Sequence, residues 1–151
     1  MVKDLCFEIL QTCPNNCRFC SSCAGMDKET MVSFETFKKV IDYFMNIGGI
    51  EEISISGGEP FAQKKELLEL VKAIKNINKN IVIYTGYIYE ELLKKNDDTI
   101  NEILNSIDYL VDGPFVLSKR DLTLTFRGSQ NQRFIDVKKT ILENKIITLY
   151  N

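Results

Sequence analysis

Histidine is absent from the 151 residues. That excludes histidine-based catalytic dyads and triads and every zinc site that uses imidazole. Charge of one sign is also missing. Nineteen basic residues face 21 acidic ones, a net charge of −2. Such a chain has no electrostatic footprint for nucleic acid. No apolar run approaches the roughly 20 residues of a membrane span. Met1-Val2-Lys3-Asp4 is followed by neither a signal-peptide core nor a small-residue cleavage site. A cytoplasmic protein without membrane contact is expected. Internal repeats, low-complexity tracts and Pro/Ser-rich linkers are lacking too. With 44% hydrophobic and 26% charged residues, the chain reads as one globular domain over residues 1–151.

Proline is scarce and well placed. Pro14, Pro60 and Pro114 each follow the end of an expected strand, as do Gly57, Gly58, Gly86 and Gly113. The strands are expected at Leu5–Leu10, Glu51–Ser56, Asn80–Tyr84, Tyr109–Val111, Leu122–Phe126 (from its alternation), Phe134–Val137 and Ile146–Leu149. Ser33 can cap a helix carrying Phe34, Phe37, Val40, Ile41 and Phe44, and Gly48-Gly49 stops it. Further helices are expected over Lys64–Ile77, Tyr89–Lys95, from Asp97 or Asp98 through Ile107, and over Lys138–Glu143. Repeated strand–helix units imply a parallel sheet with right-handed crossovers. The length falls short of the roughly 250 residues of an eight-fold barrel, so an open or partial barrel of five to six strands is expected. In such folds ligands bind at the carboxyl ends of strands. The segments Cys13–Cys20, Gly57–Pro60, Thr85-Gly86 and Asp112-Gly113-Pro114 should therefore share one face.

Cysteine is crowded. Cys13, Cys17, Cys20 and Cys23 lie in one short stretch, and Cys6 lies apart. An odd count without a secretion signal argues against a disulfide framework and for a metal or cluster. Thiolates spaced C-x3-C-x2-C in a loop can wrap a small inorganic cube and leave one iron open. Cys23 leaves an alternative standing: four thiolates closing a zinc site or a fully ligated cluster. Otherwise it is a spare thiol nearby. Cys6, within an apolar strand, is expected to be an inert core residue.

The C-x3-C-x2-C spacing, with Phe19 before the third cysteine, strongly resembles the radical S-adenosylmethionine (SAM) superfamily. One strand and one helix later comes Gly57-Gly58-Glu59-Pro60, similar to that superfamily's second motif. The resemblance implies a partial, open parallel β/α barrel of the radical SAM type. It implies a 4Fe-4S cluster on Cys13, Cys17 and Cys20, with SAM chelating the open iron. One electron would then yield methionine and a 5′-deoxyadenosyl radical. The Gly-Gly-Glu segment would line the SAM amino group. Thr85 would contact its ribose or methionyl part, unless Thr85-Gly86 is a plain turn. The cofactor carries the chemistry, so no catalytic side chain is assigned.

Two later stretches narrow the resemblance. They are Tyr84–Leu92, and Asp108–Phe115 with Phe126–Arg133 and Ile135–Val137. Together they look like the activating proteins of anaerobic ribonucleotide reductase. That implies an oxidoreductase that installs a glycyl radical on a large partner enzyme, with an electron donor such as flavodoxin or ferredoxin. The partner is expected to complete the site. Asp112 would hold SAM or orient the target, or else cap a turn. Arg127 and Arg133 would recognise the SAM carboxylate or dock the partner. Gln130 and Asn131 are read as a hydrogen-bonded turn. The stretches Ser21–Gly25 and Ser33-Phe34-Glu35 look more like radical SAM enzymes acting on other peptides or small molecules, which is the second enzyme reading.

Overall fold

A computed structural model of the chain describes residues 4–9 and 34–150. Six strands form one sheet in sequential order. They are β1 (Asp4–Ile9), β2 (Glu52–Gly57), β3 (Asn80–Tyr84), β4 (Tyr109–Asp112), β5 (Arg133–Asp136) and β6 (Thr148–Leu149). Helices α1 (Phe34–Ile47), α2 (Lys64–Lys75), α3 (Tyr89–Lys94) and α4 (Asp98–Ser106) connect the first four, and α5 (Val137–Glu143) connects the last two.

The strands β1 to β4 are parallel, as crossover helices require. The expectation of an all-parallel sheet needs correction beyond that point. No helix crosses back between β4 and β5, so β5 returns antiparallel, with Asp112 opposite Arg133. The two-residue β6 pairs antiparallel to it. The sheet ends at β1 and β6.

Strand alternation sorts side chains onto two faces. Ile53 and Ile55 of β2, Ile81 and Ile83 of β3, Leu110 of β4 and Ile135 of β5 share one buried core with Ile41 of α1, Leu67, Val71 and Ile74 of α2, and Ile103 and Leu104 of α4. The opposite parity gathers Val82, Val111 and Phe134, with Tyr84, Tyr109 and Leu149 packed against them. No helix of the described residues contributes to that second cluster. The described helices therefore pack on one face.

Local chemistry explains the boundaries. Gly48 and Gly49, at φ 76° and 83°, end α1 in a conformation that side chains disfavour. The Asp97 carboxylate accepts from Ile100 N at 3.1 Å and caps α4. Asp136 accepts from Lys139 N at 2.9 Å, so Val137 starts α5 rather than extending β5. Ser33, the cap expected for α1, lies outside the described residues.

Two further expectations fail. Leu122–Phe126 is not a strand. Leu122 is 80% exposed and Phe126 holds φ 61°, which no strand residue adopts. Asp121 instead captures Thr123 N and Oγ1 and turns the chain locally. Cys6 is not a core residue either. Leu5 and Phe7 pack on the helical side, and Cys6, opposite Ser54 in register, is exposed on the other.

Candidate cofactor-binding site

Gly57, the last residue of β2, holds φ 109°, a region open to glycine. The chain then turns through Gly58 to Glu59, which is fully buried. Pro60 occupies the first position of a short 3-10 turn, Pro60–Gln63. The Glu59 carboxylate caps that turn by accepting from Phe61 N at 3.2 Å. It also reaches the next strand end. Its Oε1 accepts from Thr85 Oγ1 at 2.7 Å, and its Oε2 accepts from Gly86 N at 2.8 Å. Two loops far apart in sequence are thereby fastened at one carboxylate, which a buried charge requires.

The fastening continues along the rim. Thr85 Oγ1 accepts from Tyr87 N at 3.2 Å, and Gly113 N donates to Tyr87 O at 2.9 Å. Asp112, at the end of β4, is buried and accepts from Tyr89 N at 2.8 Å. Its Oδ1 accepts from Arg133 Nε at 3.0 Å, and its Oδ2 from Arg133 Nη2. The same guanidinium is held by Glu90 through Nη1 at 3.0 Å and Nη2 at 2.7 Å. The Arg133 hydrogen bond holds the Glu90 carboxyl below the usual range, and Asp112, then Glu90, push the Arg133 pKa upward.

Arg127 sits at the same end of the sheet, donating to Gln132 O at 3.4 Å and to Tyr150 O. Its Nε is buried and has no hydrogen-bond partner among the described residues. That is a spare donor in a charged group, of the kind an anion takes up. Gln130 and Asn131 behave as a structural turn. Asn131 Nδ2 donates to Pro114 O at 2.7 Å, and Gln130 N to Lys119 O at 2.9 Å.

Gly57, Gly58, Glu59, Pro60, Thr85, Asp112 and Arg127 thus share one end of the sheet, where β2, β3 and β4 finish. There β1 ends as well, with Ile9 opposite Gly57. Cys13, Cys17, Cys20 and Phe19 follow in sequence and lie outside the described residues. The face opposite the described helices is polar on the β1–β2 side. Burial first, then the fields of Asp4, Cys6 and Glu52, push the Tyr84 hydroxyl up to about 12, so it stays protonated. Towards β5 and β6 the face is aromatic, with Tyr109, Phe126 and Tyr150 rings 5.2–5.4 Å from that of Phe134.

Glu90 was not legible as a site residue. Its partner Arg133 was, but their pairing depends on the antiparallel return of β5. Within the rim, Thr85→Val should lower stability by about 2 kcal/mol, because it strips a buried carboxylate of one donor and orphans Tyr87 N. Thr85→Ser should restore most of the loss. Urea denaturation reads both, and a Thr85→Val protein as stable as wild type would show that this bond does not hold the rim.

Residues 5–135 match the 4Fe-4S single cluster domain family. An anaerobic ribonucleoside-triphosphate reductase-activating protein of Pasteurella multocida is 31% identical over 137 residues, 84% of either chain. The chain belongs to the 4Fe-4S single cluster domain family, in the activating-protein group. A second activating protein, from Vibrio cholerae, is 40% identical over 84 residues, and that match spans about half of each chain, 53% of this one and 52% of that one. A PqqA peptide cyclase of Bradyrhizobium diazoefficiens is 33% identical over 87 residues, 57% of this chain and 21% of its own. No solved structure matches the chain. The 4Fe-4S family match encloses all five cysteines and the whole rim up to Arg133. No helix of the described residues is long and apolar enough to cross a membrane.

Proposed function

We propose that the chain is a radical SAM activating enzyme that installs a glycyl radical on an anaerobic ribonucleotide reductase. The observation that carries this reading is the conjunction of C-x3-C-x2-C in a 4Fe-4S family match with a Gly-Gly-Glu rim at the end of the next strand. Among the described residues no group of three His, Cys, Asp or Glu side chains gathers as a metal site. The resemblance of the C-x3-C-x2-C loop assigns the cluster to Cys13, Cys17 and Cys20, whose soft thiolates suit iron.

Held by Cys13, Cys17 and Cys20, a reduced cluster would supply the electron for reductive cleavage of SAM and hence for hydrogen abstraction from a glycine Cα. The chain's residues bind and orient. Gly57 and Gly58 would expose backbone to the SAM amino group, and Phe19, next to the third cysteine in sequence, is a further cofactor-binding candidate. Glu59 and Thr85 hold that backbone in place. Arg127 Nε offers a donor to the SAM carboxylate. Asp112, locked to Arg133, fixes the adjoining strand end. The face opposite the described helices would take the role of the interior of a partial β/α barrel, and the reductant would be a small donor such as flavodoxin or ferredoxin.

The PqqA peptide cyclase relative favours a second reading, a small radical SAM enzyme on another peptide. Both readings meet one experiment. The protein is reconstituted anaerobically with iron and sulfide, reduced, and given SAM with or without the reductase. 5′-Deoxyadenosine with a glycyl radical signal on the reductase is the expected result. Nucleoside without that signal selects the second reading. A cluster that never cleaves SAM, even with the reductase present, overturns both.

A further inference from the structure

The segment 114–132 between β4 and β5 is a long connection for a compact domain, and such loops are commonly functional. It is a braced arm. Gln130 N donates to Lys119 O at 2.9 Å, and Asp121 N donates to Gly128 O at 3.2 Å, around a bridge between Arg120 and Ser129. Its base is fixed to the site rim, because Gln132 Nε2 donates to Gly113 O at 3.1 Å. Apart from Phe126, whose ring lies 5.3 Å from that of Phe134, its tip gives little to the core. Leu122 is 80% exposed, and Leu117 and Phe126 are each nearly half exposed. Phe126 is moreover held at φ 61°, unusual for a bulky residue.

The charge of the arm opposes that of the chain. It carries Lys119, Arg120 and Arg127 against Asp121 alone, in a protein of net charge −2. Lys119 and Arg120 are exposed and form no ion pair among the described residues. The Asp121 carboxylate accepts from Thr123 Oγ1 and Gln130 Nε2 within the arm. Exposed Leu117 and Leu122 beside the adjacent cations Lys119 and Arg120 suit a polypeptide with apolar anchors and acidic neighbours.

We propose that this arm docks an acidic, apolar segment of the partner protein that carries the target glycine. The inference rests on the activating-enzyme reading. A hydrogen atom is taken only at close range, so a protein substrate needs a foothold beside the site. The arm offers one that is continuous with the rim at Gly113.

The test uses the reconstituted protein and the anaerobic ribonucleotide reductase of the same organism. The double variant Arg120→Glu/Leu122→Asp alters only exposed side chains, and thermal melting checks that it folds as wild type does. Partner-free 5′-deoxyadenosine formation should be unchanged. Affinity for the reductase, by calorimetry, should fall at least ~10-fold, and glycyl radical yield with it. The milder Arg120→Lys/Leu122→Met should retain both. Wild-type binding should weaken as salt rises. Equal affinity in wild type and Arg120→Glu/Leu122→Asp overturns this inference alone, as does loss of self-association without loss of reductase binding. A wild type that cleaves SAM but raises no radical on the reductase overturns the activating-enzyme reading, and this inference falls with it.

Discussion

Cys17→Ala is expected to remove the cluster and with it all SAM cleavage, while Cys23→Ala keeps both. The expectation follows from the donor count. A four-iron cluster held by three thiolates has no ligand to spare. The loss at Cys17 is therefore complete rather than graded, and it shows first as iron content and thiolate-to-iron absorbance. Cys23 would extend the run to C-x3-C-x2-C-x2-C, and a fourth thiolate there would close the iron that SAM must reach. The two variants thus divide an open cluster from a closed one. If Cys23→Ala also loses its iron, the centre is fully ligated and the enzymatic reading fails at its root. The readout is iron per protein, with 5′-deoxyadenosine measured on the same samples. The rim supplies an internal control, since Thr85→Val should lower stability without emptying the cluster.

How much of this was legible before the structure depends on the range of the forces involved. The strands β2 and β3 were readable because Ile53, Ile55, Ile81 and Ile83 repeat on one face beside helices of clear period. The boundary at Asp97 was readable because capping is a local bond. The joint placement of Glu59, Thr85 and Asp112 also followed, since parallel strands must all end on one side. What escaped depends on pairing at a distance. The alternation of Leu122, Leu124 and Phe126 mimics a strand, but no neighbouring strand accepts it, and Asp121 turns the chain first. Cys6 lies in an apolar run, yet the parity of β1 is set by which face Leu5 and Phe7 give to the helices. The antiparallel return of β5 left no trace in composition. It is nevertheless what brings Arg133 opposite Asp112.

That pairing carries the second large effect. Asp112→Ala should destabilise the protein by about 3 kcal/mol, the lower part of the range for breaking a buried pair. The lower part applies because the Asp112 side chain is only 1% exposed but that of Arg133 is 30% exposed. Two losses combine in this variant. Arg133 keeps Glu90 but loses its buried partner, and Tyr89 N loses the acceptor at the start of α3. For a chain of this length the melting temperature should fall by roughly 6–12 °C. Glu90→Gln should remove less than about 1 kcal/mol, because Glu90 faces solvent and its attraction to Arg133 is screened. Its effect is instead visible in acid. Arg133 holds the folded-state pKa of Glu90 below its ordinary value of 4.5. The ion pair therefore contributes fully above that value, and its contribution is lost as pH falls through the lower folded pKa. As pH falls from neutral through that lowered folded-state pKa, wild type should lose its advantage over Glu90→Gln, and the two denaturation curves should converge. Parallel curves across that window would mean that Arg133 is held by Asp112 alone. An Asp112→Ala protein as stable as wild type would mean that the rim is held by the Glu59 and Thr85 bonds without help from the ion pair.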